Sequence, residues 1–204
     1  VELLSKAEVQ RVPCMQHRIF LGAGQREGFM DRDTFCGLAE SVYPDEVEKR
    51  HAGTAITDAA LMFYTSGTTA MPKGCPLDHI VLQHAGVVGG TDRLRLTAGD
   101  VVWNPLPMFH SAFTQPLTGT LNVGGTLVSM AHFEPEEALD LITRERVTVA
   151  FPAFPTITLQ ILHHPRYTAD TLSGVRVMLN VGSPEELVAM QALMPHTTQI
   201  TCFG

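Results

Sequence analysis

The sequence predicts an α/β fold in which parallel strands form a sheet covered by helices on both faces. Short apolar runs alternate with longer helical patterns from residue 61 onward, which is the order of a βαβ chain. The runs at residues 101–103 and 147–151 are almost entirely apolar. Such strands are typical of a sheet with both faces buried. We expect two subdomains, residues 1–76 and residues 77–204.

Composition limits the classes of protein that fit. The chain has 204 residues, of which 45% are hydrophobic and 17% charged, so it can bury a substantial core. A formal net charge of −7 argues against a nucleic-acid partner, because such proteins carry basic faces. The four cysteines form no CxxC pair, and neither a metal cluster nor a disulfide framework is indicated.

The apolar segments and the two ends of the sequence indicate where the protein is located and whether the sequence is a fragment. No signal peptide and no run long enough to cross a bilayer is visible, so a cytoplasmic setting is expected. The first residue is not methionine, and the last predicted strand runs almost to the final residue, so we expect a fragment.

The first fifty residues carry weaker signals. Residues 18–21 predict a strand and residues 35–42 a short helix. The charged segment 44–53 is interpreted as a surface loop.

From residue 61 the elements are clearer. Asp78 is a candidate cap for one helix, and Glu134, Glu136 and Glu137 lie where a helix dipole favours acidic groups. Pro116 must kink its helix or lie in the first turn. The predicted strands are residues 61–63, 101–103, 125–130, 147–151, 175–181 and 199–203. The predicted helices are residues 77–88, 111–121, 135–145, 155–163 and 184–193.

The most informative segment is residues 64–74, Tyr-Thr-Ser-Gly-Thr-Thr-Ala-Met-Pro-Lys-Gly, directly after an apolar run. Such a loop gathers backbone N–H groups, hydroxyl donors and one ammonium, which together suit a polyphosphate. It is not the common P-loop, because Pro72 replaces the second glycine and no hydroxyl follows Lys73. The alternative is a surface hairpin of accidental composition.

The segment resembles the signature Tyr-Thr-Ser-Gly-Thr-Thr-Gly-x-Pro-Lys-Gly of the adenylate-forming enzymes, which include acyl-CoA synthetases, luciferases and peptide-synthetase adenylation domains. Ala70 is the one departure. The resemblance runs from about residue 61 to residue 204. It implies that Lys73 binds phosphate and helps to close the loop. The residues it assigns to the nucleotide here are Thr65, Ser66, Gly67, Thr68, Thr69, Lys73 and Gly74.

Three further segments match the family in order and spacing. Pro107-Met108-Phe109-His110 resembles its Pro-Leu-Phe-His motif, whose histidine lines the carboxylate pocket, so His110 is the candidate catalytic residue. Gly182, Ser183 and Pro184 fall in the turn that packs against adenine in the family, with Val181 replacing a glycine. Phe203 and Gly204 match the start of the next motif, where an aromatic ring flanks adenine.

The resemblance implies activation of a carboxylic acid with ATP and Mg²⁺, followed by transfer of the acyl group to CoA. Apolar residues around Met108 favour a fatty or other apolar acid. The family's magnesium-binding Thr-Glu pair, ribose aspartate and C-terminal catalytic lysine fall beyond residue 204, so we assign no metal ligand and expect the fragment alone to be inactive. A non-catalytic nucleotide-binding module and a peptide-synthetase adenylation domain remain as alternatives.

Overall fold

The computed structural model describes residues 16–65 and 71–202, which divide into two units between Thr54 and Ala55. The smaller unit holds two short parallel strands, β1 (Ile19–Phe20) and β2 (Met30–Asp31). The helix α1 (Arg32–Gly37) follows, and a 3₁₀ turn (Leu38–Ser41) extends it. The predicted domain boundary at residue 76 stays a prediction.

The charged segment after residue 43 is a helix, α2 (Pro44–Ala52), so its interpretation as a loop was wrong. Pro44 occupies the first turn, where its missing N–H is not needed. Acidic residues lie in the first turn and basic residues in the last, which complements the helix dipole. The helix was overlooked because none of its residues is buried.

The larger unit begins with an antiparallel hairpin of β3 (Ala59–Thr65) and β4 (Lys73–Asp78). Two details of the sequence interpretation were therefore wrong. Thr65, Lys73 and Gly74 lie in strands and not in a loop, and the helix α3 (His79–Val87) begins after Leu77. Asp78 caps α3 as expected, because its carboxylate accepts a hydrogen bond from the N–H of Val81 at 2.9 Å.

A five-stranded parallel sheet follows, which confirms the predicted fold class. Its strands lie in the order β6-β5-β7-β8-β9. They are β5 (Val101–Trp103), β6 (Thr126–Val128), β7 (Val149–Ala153), β8 (Val177–Asn180) and β9 (Thr198–Ile200). The connecting helices are α4 (Ser111–Asn122), α5 (Pro135–Arg144), α6 (Pro155–Leu162) and α7 (Pro184–Leu193).

Both faces of the sheet carry a buried apolar cluster. Alternate residues of a strand enter opposite clusters, as Val102 and Trp103 of β5 do. Buried residues of α5, α6 and α7 join the cluster of Trp103, and Phe113 of α4 joins the cluster of Val102. No helix in the described part of the chain is both long and apolar enough to cross a bilayer.

Candidate functional site

The hairpin presents the two ends of the candidate phosphate loop side by side. Thr65 ends β3 and Lys73 begins β4, and the two residues are direct cross-strand partners. Directly opposed residues in an antiparallel pair project from the same face, so the hydroxyl and the ammonium share one side of the hairpin. Both residues are exposed. Ser66, Gly67, Thr68 and Thr69 lie outside the described residues.

Gly74 is opposite Tyr64 in the same hairpin. A Cβ added to Gly74 would lie 3.0 Å from the Met62 Sδ and 3.6 Å from the Tyr64 Cε1. The missing side chain therefore lets Met62 and Tyr64 lie close over the β4 backbone beside Lys73.

His110 lies at the first residue before α4, after a tight turn. The His110 N–H donates to the carbonyl of Pro107 at 3.1 Å, which leaves Met108 and Phe109 at the exposed tip. The His110 ring caps the helix, because its Nδ1 accepts a hydrogen bond from the N–H of Ala112 at 3.1 Å. With Nδ1 as acceptor, the neutral ring carries its proton on Nε2. His110 therefore presents an N–H donor on its free side.

Asn104 is a site residue that sequence reasoning missed. It follows β5 directly and is completely buried. Its amide bonds to backbone on both sides of the His110 turn, at Leu106 and Ala112. The available signal was an asparagine between an apolar strand and a proline, where an amide side chain can bond local backbone.

The order of the strands brings the His110 turn and the turn after β8 to one edge of the sheet. Both follow the carboxyl ends of parallel strands, where ligands bind in α/β sheets. One strand, β7, separates β5 from β8, which corresponds to about 10 Å. Ala153, at the end of β7, has φ of +58°, and its carbonyl accepts from the N–H of Val181 at 2.7 Å. Val181 itself does not have a positive φ, so its backbone conformation does not require glycine.

The turn after β8 is closed by a reciprocal cap. The Ser183 hydroxyl accepts from the N–H of Glu186 at 3.3 Å, and the Glu186 carboxylate accepts from the N–H of Ser183 at 2.8 Å. Pro184 has no N–H to offer. The carboxylate of Glu186 thus occupies the start of α7, which disfavours a phosphate there.

Gly182 is closely packed within the same turn. An added Cβ would lie 3.1 Å from the Glu186 Oε2 and 3.3 Å from the Pro155 Cγ. Thr201 and Cys202 are exposed beyond β9, while Phe203 and Gly204 lie outside the described residues. Among residues 16–65 and 71–202, no group of three or more His, Cys, Asp or Glu side chains is arranged to hold a metal ion.

An ion pair between the buried carboxylate of Asp100 and the partly exposed guanidinium of Arg176 lies at the opposite, amino-terminal edge of the sheet. Burial opposes ionisation of the Asp100 carboxyl, but hydrogen bonds from Arg176, Thr148 and Thr97 outweigh it and lower its pKa to about 2. All its partners belong to the starts of strands or the turn before β5. This cluster therefore stabilises the sheet at the edge away from the His110 turn.

The sequence of the chain is similar to those of known CoA ligases. It is 30% identical to YngI, a proposed acyl-CoA synthetase of Bacillus subtilis (strain 168), over 91% of this chain and 34% of YngI. It is 38% identical to 4-coumarate–CoA ligase 1 of Oryza sativa subsp. japonica over 62% of this chain and 23% of that enzyme. The chain thus spans about a third of the length of YngI, and less of the rice enzyme.

A structural alignment and a match to a family description indicate the same class of protein. The crystal structure of apo MatB from Rhodopseudomonas palustris aligns with a TM-score of 0.64 and 27% identity, over 74% of this chain and 30% of MatB. The family description "AMP-binding enzyme" matches residues 12–204. The chain therefore belongs to the AMP-binding enzyme family, whose adenylate-forming CoA ligases are its relatives.

Proposed function

We propose that the protein containing this chain is an ATP-dependent carboxylate–CoA ligase. The observation that carries the proposal is the hairpin, which puts Thr65 opposite Lys73 at the two ends of a segment rich in hydroxyl residues. One ammonium and several neutral donors in a small volume suit the β- and γ-phosphates of ATP. The family membership supports the same assignment.

The reaction has two steps. A carboxylate oxygen attacks the α-phosphorus of ATP, and the bond to pyrophosphate breaks as the acyl-adenylate forms. The CoA thiol then loses its proton and attacks the acyl carbon, which releases AMP. Both steps depend on alignment and charge stabilisation more than on covalent chemistry by the protein. Magnesium would enter with the triphosphate, and we assign it no ligand in this chain.

In this proposal His110 binds the carboxylate substrate, and the turn after β8 binds the adenine of ATP. The Nε2–H of His110 donates to an oxygen of the carboxylate, so the ring orients the nucleophile and does not act as its base. The turn of Gly182, Ser183 and Pro184 packs against adenine, which is uncharged and therefore compatible with the carboxylate of Glu186. We propose, from the resemblance of their motif to that of the family, that Phe203 and Gly204 also bind adenine.

We propose that the carboxylic acid is an apolar one. A groove of about 1090 Å³ lies between residues 88–95 and α4 on one side and the strands β7 to β9 on the other. Phe151, Leu179 and Ile200 line it, and so do four charged residues: Asp92, Arg93, Arg95 and Arg176. Gln115 and Pro116 of α4, one to two turns beyond His110, line the same groove. The acyl chain of a fatty or aromatic acid would lie on this surface with its carboxylate toward His110.

Product analysis of the full-length protein tests the proposal. Mg-ATP and CoA are supplied with a fatty acid, a cinnamic acid, a dicarboxylic acid or an amino acid, and nucleotide and acyl products are identified by mass spectrometry. We expect AMP, and not ADP, together with the acyl-CoA of an apolar acid. Formation of ADP, or nucleotide binding without turnover for every acid, would contradict the proposal. Activation of amino acids alone would indicate a peptide-synthetase adenylation domain.

A further inference from the structure

We propose that Asn104 is a positioning residue for the adenylation step, because its side chain fixes the turn that carries His110. The inference rests on the proposed function. Asn104 itself contacts no substrate in this account. It acts through the backbone of the segment from residue 105 to residue 112, which we call the His110 segment.

The main chain holds Asn104 rigidly in place. Its N–H donates to the carbonyl of Val128 at 2.9 Å and so continues the pairing of β5 with β6 beyond Trp103. The residue is 0% exposed. The amide group therefore starts from a fixed point in the sheet.

The side chain reaches both ends of the His110 segment. The Asn104 Oδ1 accepts from the N–H of Leu106 at 3.0 Å, near the start of the segment. The Asn104 Nδ2 donates to the carbonyl of Ala112 at 3.0 Å, at its end. One planar amide thus sets the distance between the two ends. The tip between them, at Met108 and Phe109, is exposed and has little packing to hold it.

Pro116 explains why the bond to Ala112 is available. In an α-helix the N–H of residue 116 would donate to the carbonyl of residue 112, but proline has no N–H. The Asn104 Nδ2 supplies the missing donor. The N–H of the same residue, Ala112, donates to the ring of His110. Asn104 therefore holds the residue that also fixes the orientation of the imidazole.

Loss of the amide should shift the His110 ring without altering the hairpin that binds ATP. A displacement of about 1 Å at a reacting group costs about 10² in rate. For Asn104→Leu in the full-length protein we expect a 10- to 100-fold fall in kcat/KM for the carboxylate, with KM for ATP changed less than about twofold. Hydrogen exchange in a peptide covering residues 105–112 should also become faster.

Two variants separate positioning from stability. Asn104→Leu with Pro116→Ala restores a donor to the Ala112 carbonyl but not an acceptor for the Leu106 N–H. Because Pro116 also lines the groove, the double variant is compared with Pro116→Ala alone. We expect it to recover part of the Tm lost in Asn104→Leu while kcat/KM for the carboxylate stays low. Leu172→Ala, in the apolar cluster on the other face of the sheet, should lower Tm and leave the carboxylate and ATP KM values unchanged.

The outcomes are distinct. An active wild type whose Asn104→Leu variant keeps its carboxylate kcat/KM would overturn this role alone. A rise in the KM values for both substrates by a similar factor, or recovery of activity in step with Tm in the double variant, would show that Asn104 is merely structural and overturn the role as well. A wild type that forms no acyl-adenylate would overturn the proposed function and this role together. If Asn104→Leu does not fold, the double variant is compared with Pro116→Ala, and an equal kcat/KM for the carboxylate in these two variants would overturn the role.

Discussion

The guanidinium of Arg176 holds the carboxylate of Asp100 across the amino-terminal edge of the sheet. The Arg176 Nε donates to Oδ1 at 3.1 Å and its Nη2 to Oδ2 at 2.9 Å. Arg176 precedes β8 and Asp100 precedes β5, so the pair spans β7, whose preceding residue Thr148 donates to Oδ1 at 2.7 Å. One carboxylate therefore ties three strands together at the edge opposite His110.

This cluster predicts a pH-dependent contribution to stability. The pKa of Asp100 is lowered from 3.8 to about 2, so folding favours the ionised form. Its contribution is fully present above pH 4 and is lost as the pH falls from about 4 to 2. Asp100→Asn should lower the free energy of unfolding by about 2 kcal/mol at pH 7.

Urea unfolding of the wild type and Asp100→Asn between pH 7 and pH 2 checks this. The difference between them should shrink below pH 4, and a difference independent of pH would contradict the assignment. Asp140→Asn is the matched control. Asp140 pairs with Arg166 at the surface, where its side chain is 50% exposed, so we expect a much smaller change than in Asp100→Asn.

The close contact between α3 and α4 predicts that one added methyl group, in Gly119→Ala, lowers stability. A Cβ added to Gly119 would lie 2.7 Å from the Gly86 carbonyl oxygen and 3.1 Å from the Gly90 Cα. Alanine has a higher helix propensity than glycine by about 1 kcal/mol, but overpacking against backbone costs about 1–3 kcal/mol. We expect Gly119→Ala to be net destabilising in thermal unfolding.

Gly99→Ala is the control for Gly119→Ala. An added Cβ at Gly99 would meet only the Thr97 Oγ1, at 3.9 Å. This substitution should leave Tm unchanged or raise it slightly, because it reduces the entropy of the unfolded chain. Equal Tm values for the two variants would mean that α3 and α4 are not in close contact.

Trp103 is the single tryptophan of the chain. We expect its replacement by phenylalanine to cost unusually little stability for a buried aromatic residue. It is completely buried, and its Nε1 has no hydrogen-bond partner among the described residues. Truncating a buried tryptophan to alanine costs about 3–5 kcal/mol. Trp103→Phe also leaves a cavity but removes a donor whose burial costs about 1–3 kcal/mol.

We therefore expect Trp103→Phe to lower the free energy of unfolding by less than about 1.5 kcal/mol. Circular dichroism in urea is the measurement, since the variant lacks the fluorescent ring. A loss as large as that of Trp103→Ala would show that the Nε1 group is hydrogen-bonded in solution.

The sequence was most informative where local chemistry alone decides the structure. Pro135, Pro155 and Pro184 each begin a helix at the predicted residue, because proline presets φ and needs no N–H partner in the first turn. The parallel sheet was likewise predictable, because its strands are apolar on both faces. The strands β6 and β8 are shorter than predicted, since apolar residues continue beyond the paired segments.

Pairing between distant residues was less visible. Leu61 and Phe63 are half-buried while Met62 and Tyr64 are exposed, so β3 does alternate. All four side chains are apolar or aromatic, which hid the alternation and suggested a buried strand. The role of Asn104 was also hidden, because it depends on the helix position of Pro116 relative to Ala112. The Ser183–Glu186 cap was visible as a Ser-x-x-Glu pattern but was overlooked.

The central claim is that the hairpin binds the triphosphate, and Lys73→Ala tests it most directly. Lys73 is exposed, so its loss should leave the fold intact. Lys49→Ala, at an exposed lysine of α2, is the control. The measurement is carboxylate-dependent exchange of pyrophosphate into ATP by the full-length protein at limiting ATP. We predict a fall of about 10²–10³ in kcat/KM for ATP in Lys73→Ala and none in Lys49→Ala. Exchange at the wild-type rate in Lys73→Ala would contradict the account.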